Sequence, residues 1–260
     1  MNRIPKAAST AHTCKKYKNE AEKMNALIYG AKIGGIDCQK CNNRGVIYLM
    51  QGDEVVFKKC ECWKVRQSLL RIKRSGLEKL LRKYTFERYE DEEPFQKFIK
   101  QKALDFLKDK SECFFIGGQV GCGKSHICTA IVGELLKQGK EARYMQWRDD
   151  ITRIKLNANT PEYSALVEPF KTVEVLYIDD LFKTEQGKSP TTADINIAFE
   201  IINHRYINSD LITVISCEKT MQELMEIDEG VASRIRELSD KYTICVNKDR
   251  NKNYRLKGVW

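Results

Sequence analysis

The stretch Cys113-Phe114-Phe115-Ile116-Gly117-Gly118-Gln119-Val120-Gly121-Cys122-Gly123-Lys124-Ser125 decides the fold. Phe114 to Ile116 read as a buried strand, and Gly118 to Ser125 fits the phosphate-loop pattern G-x-x-x-x-G-K-[ST] position by position. In that pattern the glycines permit left-handed backbone and turn successive N–H groups inward as an anion nest. The helix that follows, opening on Lys124, Ser125 and His126, directs its positive end at the same phosphates. Lys124 is expected to reach the β and γ oxygens of a nucleoside triphosphate and Ser125 to ligate Mg²⁺.

A second strand pattern follows about fifty residues later. Val173-Glu174-Val175-Leu176-Tyr177-Ile178-Asp179-Asp180 is an apolar run ending in two carboxylates, a Walker B pattern. Asp179 is expected to hold Mg²⁺ through its water shell, and Asp180 to orient the attacking water. The reading requires this strand to neighbour the phosphate-loop strand, so that acids and metal meet.

Ahead of these lie four cysteines in two pairs, Cys38-x-x-Cys41 and Cys60-x-Cys62. Between them Val46 to Met50 and Val55 to Lys59 read as antiparallel strands joined across Gln51-Gly52-Asp53-Glu54. That register pairs Val46 with Lys59 and returns Cys60 to the side of Gly45. Four sulfurs then converge at one end of a hairpin, as a closed, structural Zn²⁺ site with no position left for catalysis. The single spacer of the second pair is one residue shorter than most such ribbons use.

Charge is distributed unevenly. Residues 1–91 hold 20 Lys and Arg against 10 Asp and Glu, and residues 92–260 hold 25 against 26, so the net charge of +9 lies in the first third. Such asymmetry points to nucleic acid or an acidic partner, or to a lysine-rich solvated surface. No apolar run approaches membrane-spanning length and the first residues lack the apolar core of a secretory signal, so a cytoplasmic protein without a membrane partner is expected. Ten cysteines in a reducing compartment favour metal ligands over a disulfide framework.

The domains expected are 1–62, an N-terminal helix with the zinc module; 63–91, a basic helical linker; and 92–260, the nucleotide-binding domain. In the first, Tyr17, Ala21, Met24, Leu27 and Ile28 make an apolar stripe that either packs on the zinc module or docks on a partner. In the linker, two short helices break near Ser75-Gly76. Arg71, Lys73 and Arg74 are placed to meet phosphates, while Tyr84, Phe86 and Tyr89 either stack on bases or close the linker onto the next domain. Beyond Pro94 helix and strand alternate as a parallel α/β sheet demands, with strands at Ala142 to Gln146, Leu211 to Ile215 and Tyr242 to Val246.

Ser216 at the end of a strand, an arginine on the next helix and another near the last residues have the layout of an AAA+ ATPase, an α/β P-loop NTPase built as a three-layer parallel sheet. The chain resembles the bacterial and phage replicative helicase loaders, the family of DnaC and DnaI, over nearly its full length. The resemblance rests on the cysteine pairs with Gly45, Ser75-Gly76-Leu77, Tyr84-Thr85-Phe86, the phosphate loop, Ile178-Asp179-Asp180-Leu181, Asn203-His204-Arg205-Tyr206, Ala232-Ser233-Arg234-Ile235 and Tyr254-Arg255. It implies ATP as the nucleotide, Ser216 as sensor 1, Arg234 as an arginine finger and Arg255 as sensor 2. It departs at Ser216-Cys217-Glu218, where many relatives place an asparagine. It further implies that the N-terminal part grips the replicative DNA helicase, and that the ATPase domain forms a homo-oligomer and binds single-stranded DNA when ATP is bound. The alternative within the same clade is an IstB-like transposition helper ATPase.

Overall fold

The computed structural model describes residues 17–32, 36–74, 77–109 and 111–256, with the side chains of Arg71, Lys73 and Arg74 outside that description. Ser75 and Gly76, the expected helix break, also lie outside it. The described chain divides into two compact units between Trp63 and Lys64.

In the first unit, helix α1 (Glu20–Leu27) starts at Asn19, whose side chain accepts from the Glu22 N–H. Strands β1 (Val46–Gln51) and β2 (Glu54–Lys59) form the expected hairpin, with Val46 opposite Lys59. The helix is fastened to the hairpin by polar bonds more than by its apolar stripe. Asn25 donates to Tyr48 O (2.7 Å) and accepts from Tyr48 N (3.0 Å) and from Arg44 Nη2 (2.7 Å). Of the stripe only Ala21 is buried, and Leu27 stays 58% exposed.

The second unit begins one residue into α2 (Trp63–Arg74) and continues with α3 (Leu77–Lys83) and α4 (Pro94–Asp109). Of residues 63–91, expected as a linker, those from Lys64 on belong to this compact unit. Their apolar groups demand burial, and Leu69, Ile72, Leu77, Phe86 and Tyr89 obtain it. Ser68 Oγ accepts from the Ala142 N–H (3.1 Å), which ties α2 to the sheet edge.

The sheet itself is parallel, in the order β4 (Ala142–Gln146), β5 (Val175–Leu181), β6 (Ile212–Cys217), β3 (Cys113–Gly118), β7 (Thr243–Val246). Its strands are almost wholly buried, as both faces of a parallel sheet are covered by helices. The covering helices are α5 (Lys124–Lys137), α6 (Trp147–Leu156), α7 (Glu162–Thr172), α8 (Thr192–Ile207), α9 (Met221–Ile227) and α10 (Glu229–Ser239). Helix α9 was not anticipated from sequence; a Thr220/Glu223 capping box starts it.

The order corrects one expectation: the acidic strand β5 does not neighbour the phosphate-loop strand β3. Strand β6, carrying Ser216, lies between them. The first acid still meets the loop, because Ser125 at the start of α5 donates to Asp179.

Arg205 of the Asn203-His204-Arg205-Tyr206 segment is 1% exposed and wholly structural in its contacts. It donates to Thr213 Oγ1 and to the carbonyls of Phe170, Lys171, Val173 and Ile212, tying the end of α7 and strand β6 to α8. Burial lowers its pKa to about 10. Among the described residues no helix is long and apolar enough to cross a membrane.

Candidate functional site

The loop from β3 to α5 has the backbone that its glycines predict. Gly118, Gly121 and Gly123 all have positive φ (104°, 77° and 94°), the left-handed region open to glycine. Close approach adds a second requirement at Gly121, where a Cβ would meet Asn253 Oδ1 at 1.9 Å. The segment after β7 is therefore drawn over the loop: Tyr254 N–H donates to Gly121 O (3.1 Å) and Asp249 N–H to Gln119 Oε1 (2.8 Å). This brings Arg255 to the rim of the same pocket. Cys122 is buried, and burial raises its thiol pKa.

Lys124 is 6% exposed, and its ammonium donates to Gly118 O (2.9 Å) and Gln119 O (2.6 Å), so the charge is held inside the curl of the loop. Ser125 Oγ donates to Asp179 Oδ1 at 3.1 Å. Residues 54 apart in sequence thus place a hydroxyl and a carboxylate side by side, the donor set that suits Mg²⁺. Asp179 collects three more hydroxyls: Ser216 Oγ (2.5 Å) and Tyr177 OH (2.7 Å) on Oδ1, and Tyr144 OH (2.8 Å) on Oδ2. Burial and this carboxylate push both phenols above the usual tyrosine range.

Asp180 sits at φ 57°, a left-handed conformation uncommon for a residue with a side chain. Its N–H donates to Ser216 Oγ (3.0 Å), and its carboxylate pairs with Lys183 Nζ (3.0 Å). Burial first, and the charge of Asp179 second, raise its pKa. Ser216, fully buried, therefore touches both acids.

The pocket between these groups is lined by Val120, Gly121, Gly123, Lys124, Ser125, His126, Asp180 and Arg255 from the expected set. It also takes in Tyr84, Lys183 and Glu218, which sequence reading did not assign to the site. Their signal was position: Lys183 is third after the second acid, and Glu218 second after Ser216. His126 is sandwiched by aromatics. Tyr84 stacks on its ring (4.6 Å, 20°), Tyr89 meets it edge-on (5.1 Å), and its Nε2 lies 2.9 Å from Thr85 O. Burial lowers its pKa, which favours the neutral ring. Of the two sequence readings for Tyr84, Phe86 and Tyr89, closure onto the domain is the one observed, since Phe86 and Tyr89 are buried.

Arg234 is not in this pocket. Its Nε donates to Asn203 Oδ1 (2.9 Å), its Nη1 to Gly230 O (2.8 Å), and its guanidinium lies over Phe199 (4.6 Å) and Tyr206 (5.6 Å). No carboxylate among the described residues pairs with it. Glu237, three residues further along α10, accepts from Tyr206 OH.

In the first unit the four sulfurs of Cys38, Cys41, Cys60 and Cys62 lie within 4.8 Å of one another. The Cys38–Cys60 and Cys41–Cys62 separations are 3.8 and 3.5 Å. A tetrahedral Zn²⁺ with bonds of about 2.3 Å has sulfur–sulfur edges of about 3.8 Å, so the set fits the ion. The turn between the first pair and β1 builds this geometry. Asn42, Asn43 and Gly45 take positive φ, and the Gly45 N–H donates to Cys41 Sγ (3.2 Å). Against the burial that would raise it, that bond and the neighbouring thiols hold the Cys41 thiol below its usual range.

Comparison with known proteins places these features in context. The family model described as IstB-like ATP binding protein matches residues 52–238. The uncharacterized protein YqaM of Bacillus subtilis is 30% identical over 228 residues, covering 78% of this chain and 67% of the relative. The replicative helicase loader DnaC of Escherichia coli is 27% identical over 183 residues, 68% of this chain and 72% of the relative. A crystal structure of DnaI superposes with a TM-score of 0.54 at 18% identity, covering 65% of this chain and 92% of that one, a likeness of fold. The chain spans about half the length of the DnaA replication-initiator structures it also matches.

Proposed function

Because the chain belongs to the IstB-like ATP binding protein family, an AAA+ ATPase of the DnaC and DnaI type, we propose that it loads a replicative DNA helicase, with ATP as the switch. The observation that carries the nucleotide chemistry is the Ser125–Asp179 contact, which brings the two halves of a nucleotide site together across the sheet. In this reading Ser125 and Asp179 hold Mg²⁺, Lys124 receives the β and γ phosphates, Asp180 orients the attacking water, and Arg255 closes the rim. Mg²⁺ held by Ser125 and Asp179 would supply positive charge to the phosphates. Asp180 accepts a hydrogen bond from that water, while Ser216 holds Asp179 and Asp180 in fixed relation.

Arg234, with only neutral partners, is available to a neighbouring protomer's phosphate in a homo-oligomer. Zn²⁺ on the four cysteines gives the N-terminal unit the folding energy that a two-stranded hairpin lacks. That unit leaves Met50, Val55 and Phe57 exposed on one face of its hairpin, Phe57 by 67%, and this face is our candidate for the helicase contact. Similarity to DnaC, a protein named as a replicative helicase loader, supports the assignment. We place the protein in the cytoplasm, with single-stranded DNA as its second partner.

The test is co-purification of the full chain with a replicative helicase, together with single-stranded DNA binding over a salt series. We expect capture of the helicase, lost on Phe57→Ser, and DNA affinity that falls steeply with salt. Neutralising Arg71, Lys73 and Arg74 should reduce the slope by roughly one per lost phosphate contact. The family match also admits a transposition helper ATPase, and capture of a transposase with no helicase would favour that reading.

A further inference from the structure

The turn after β5 holds a cation that the mechanism above does not use. Lys183 Nζ bridges two carboxylates, Asp180 Oδ2 at 3.0 Å and Glu218 Oε1 at 2.5 Å, and all three side chains line the nucleotide pocket with Lys124 and Ser125. The backbone is bent at some cost to bring this about. Asp180 and Phe182 both take left-handed φ (57° and 58°), and the Lys183 N–H donates back to Asp180 O (2.9 Å). Left-handed residues with side chains are strained and persist where the surroundings hold them. Here Phe182 is 2% exposed and meets Trp147 edge-on at 5.3 Å, which anchors the turn and leaves Lys183 facing the pocket.

We propose that Lys183 is a γ-phosphate discriminator: a positioning residue that moves from Asp180 and Glu218 to the third phosphate of ATP, and so releases Asp180 when, and only when, a triphosphate is present. This rests on the ATPase reading of the same pocket. An ammonium has three donors and the two carboxylates take two of them, so its remaining donor can meet an incoming oxygen before either bond breaks. A γ-phosphate carries more charge than either carboxylate and would arrive beside Lys124 and Ser125. ADP supplies no such competitor, so Lys183 stays on the acids and Asp180 stays occupied. Glu218 is the second arm of the balance: it holds Lys183 back when no triphosphate is bound.

The test measures binding, by calorimetry with Mg²⁺, of ADP and of a non-hydrolysable ATP analogue to the full chain and to Lys183→Met, Lys183→Arg and Glu218→Gln. Lys183→Met should weaken the analogue by about tenfold while ADP moves by less than about twofold, as loss of one charge-assisted contact predicts. Lys183→Arg should retain the preference, and Glu218→Gln should raise it by removing the competing carboxylate. An unchanged analogue-to-ADP ratio in Lys183→Met overturns the inference while leaving the ATPase reading intact. If Lys183→Met loses both nucleotides through misfolding, the decision passes to Glu218→Gln, where no rise in the ratio overturns it. Wild-type protein that binds neither nucleotide would defeat the ATPase reading and this inference with it.

Discussion

Ser216 Oγ donates to Asp179 Oδ1 at 2.5 Å, and the same oxygen accepts from the Asp180 N–H at 3.0 Å, so one buried hydroxyl sets the relation between both acids. Ser216→Ala strips Asp179 of one of four donors and leaves the Asp180 N–H without its acceptor. Turnover should fall by about ten- to a hundredfold, with nucleotide affinity changed less than about threefold. Steady-state kinetics beside equilibrium binding separate the two, and an equal loss in both would show that Ser216 only supports the fold.

Lys124 and Asp180 should fail differently. Lys124 holds its charge within the loop that receives phosphates, whereas Asp180 lies across the pocket beside Lys183. We expect Lys124→Ala to abolish tight ATP binding, and Asp180→Asn to keep binding and lose turnover. Fluorescent-nucleotide titration of both variants checks this; the division of roles fails if Asp180→Asn loses binding as completely as Lys124→Ala.

The Cys38, Cys41, Cys60, Cys62 cluster should carry one Zn²⁺ per chain. The hairpin it closes is mostly exposed and cannot bury enough apolar surface to hold itself together. Chelation is expected to unfold this unit and spare the nucleotide-binding unit, seen as loss of protection of residues 36–62 in hydrogen exchange with the sheet unaffected. Freshly purified protein with no zinc and four freely titratable thiols would refute it.

Arg234 should act in trans. Its contacts to Asn203, Gly230, Phe199 and Tyr206 orient the guanidinium without neutralising it. Arg234→Ala and Lys124→Ala proteins, each nearly inactive, should regain part of the ATPase activity when mixed, because some interfaces join an intact Arg234 to an intact Lys124. Co-assembly without recovery would leave Arg234 a purely intramolecular tie between α8 and α10.

Much of the candidate site was legible because its signals are local. The spacing from Gly118 to Ser125 prescribes a loop, the alternation of apolar runs prescribes strands, and the four residues from Gln51 to Glu54 prescribe a hairpin whose register returns Cys60 to Gly45. Each depends on backbone geometry within a few residues, which side-chain type controls directly. The expectation that β5 adjoins β3 failed because strand order is decided by pairing between segments a hundred residues apart, on which local pattern is silent.

By itself the sequence determined a phosphate loop, an acidic strand end, a four-cysteine hairpin and the parallel α/β class, since each follows from residue type and spacing. Only the tertiary structure decided that Ser216 stands between the acids, that Tyr144 and Tyr177 donate to Asp179, that residues 64–91 close on the nucleotide-binding unit, and that Lys183 lies between Asp180 and Glu218. The Ser216 and Tyr144 contacts join side chains from neighbouring strands of one sheet, and Lys183 and Glu218 lie just beyond the ends of β5 and β6. They exist because packing that sheet brings its strand ends together, and a turn held in left-handed backbone by the buried Phe182 aims Lys183 among them.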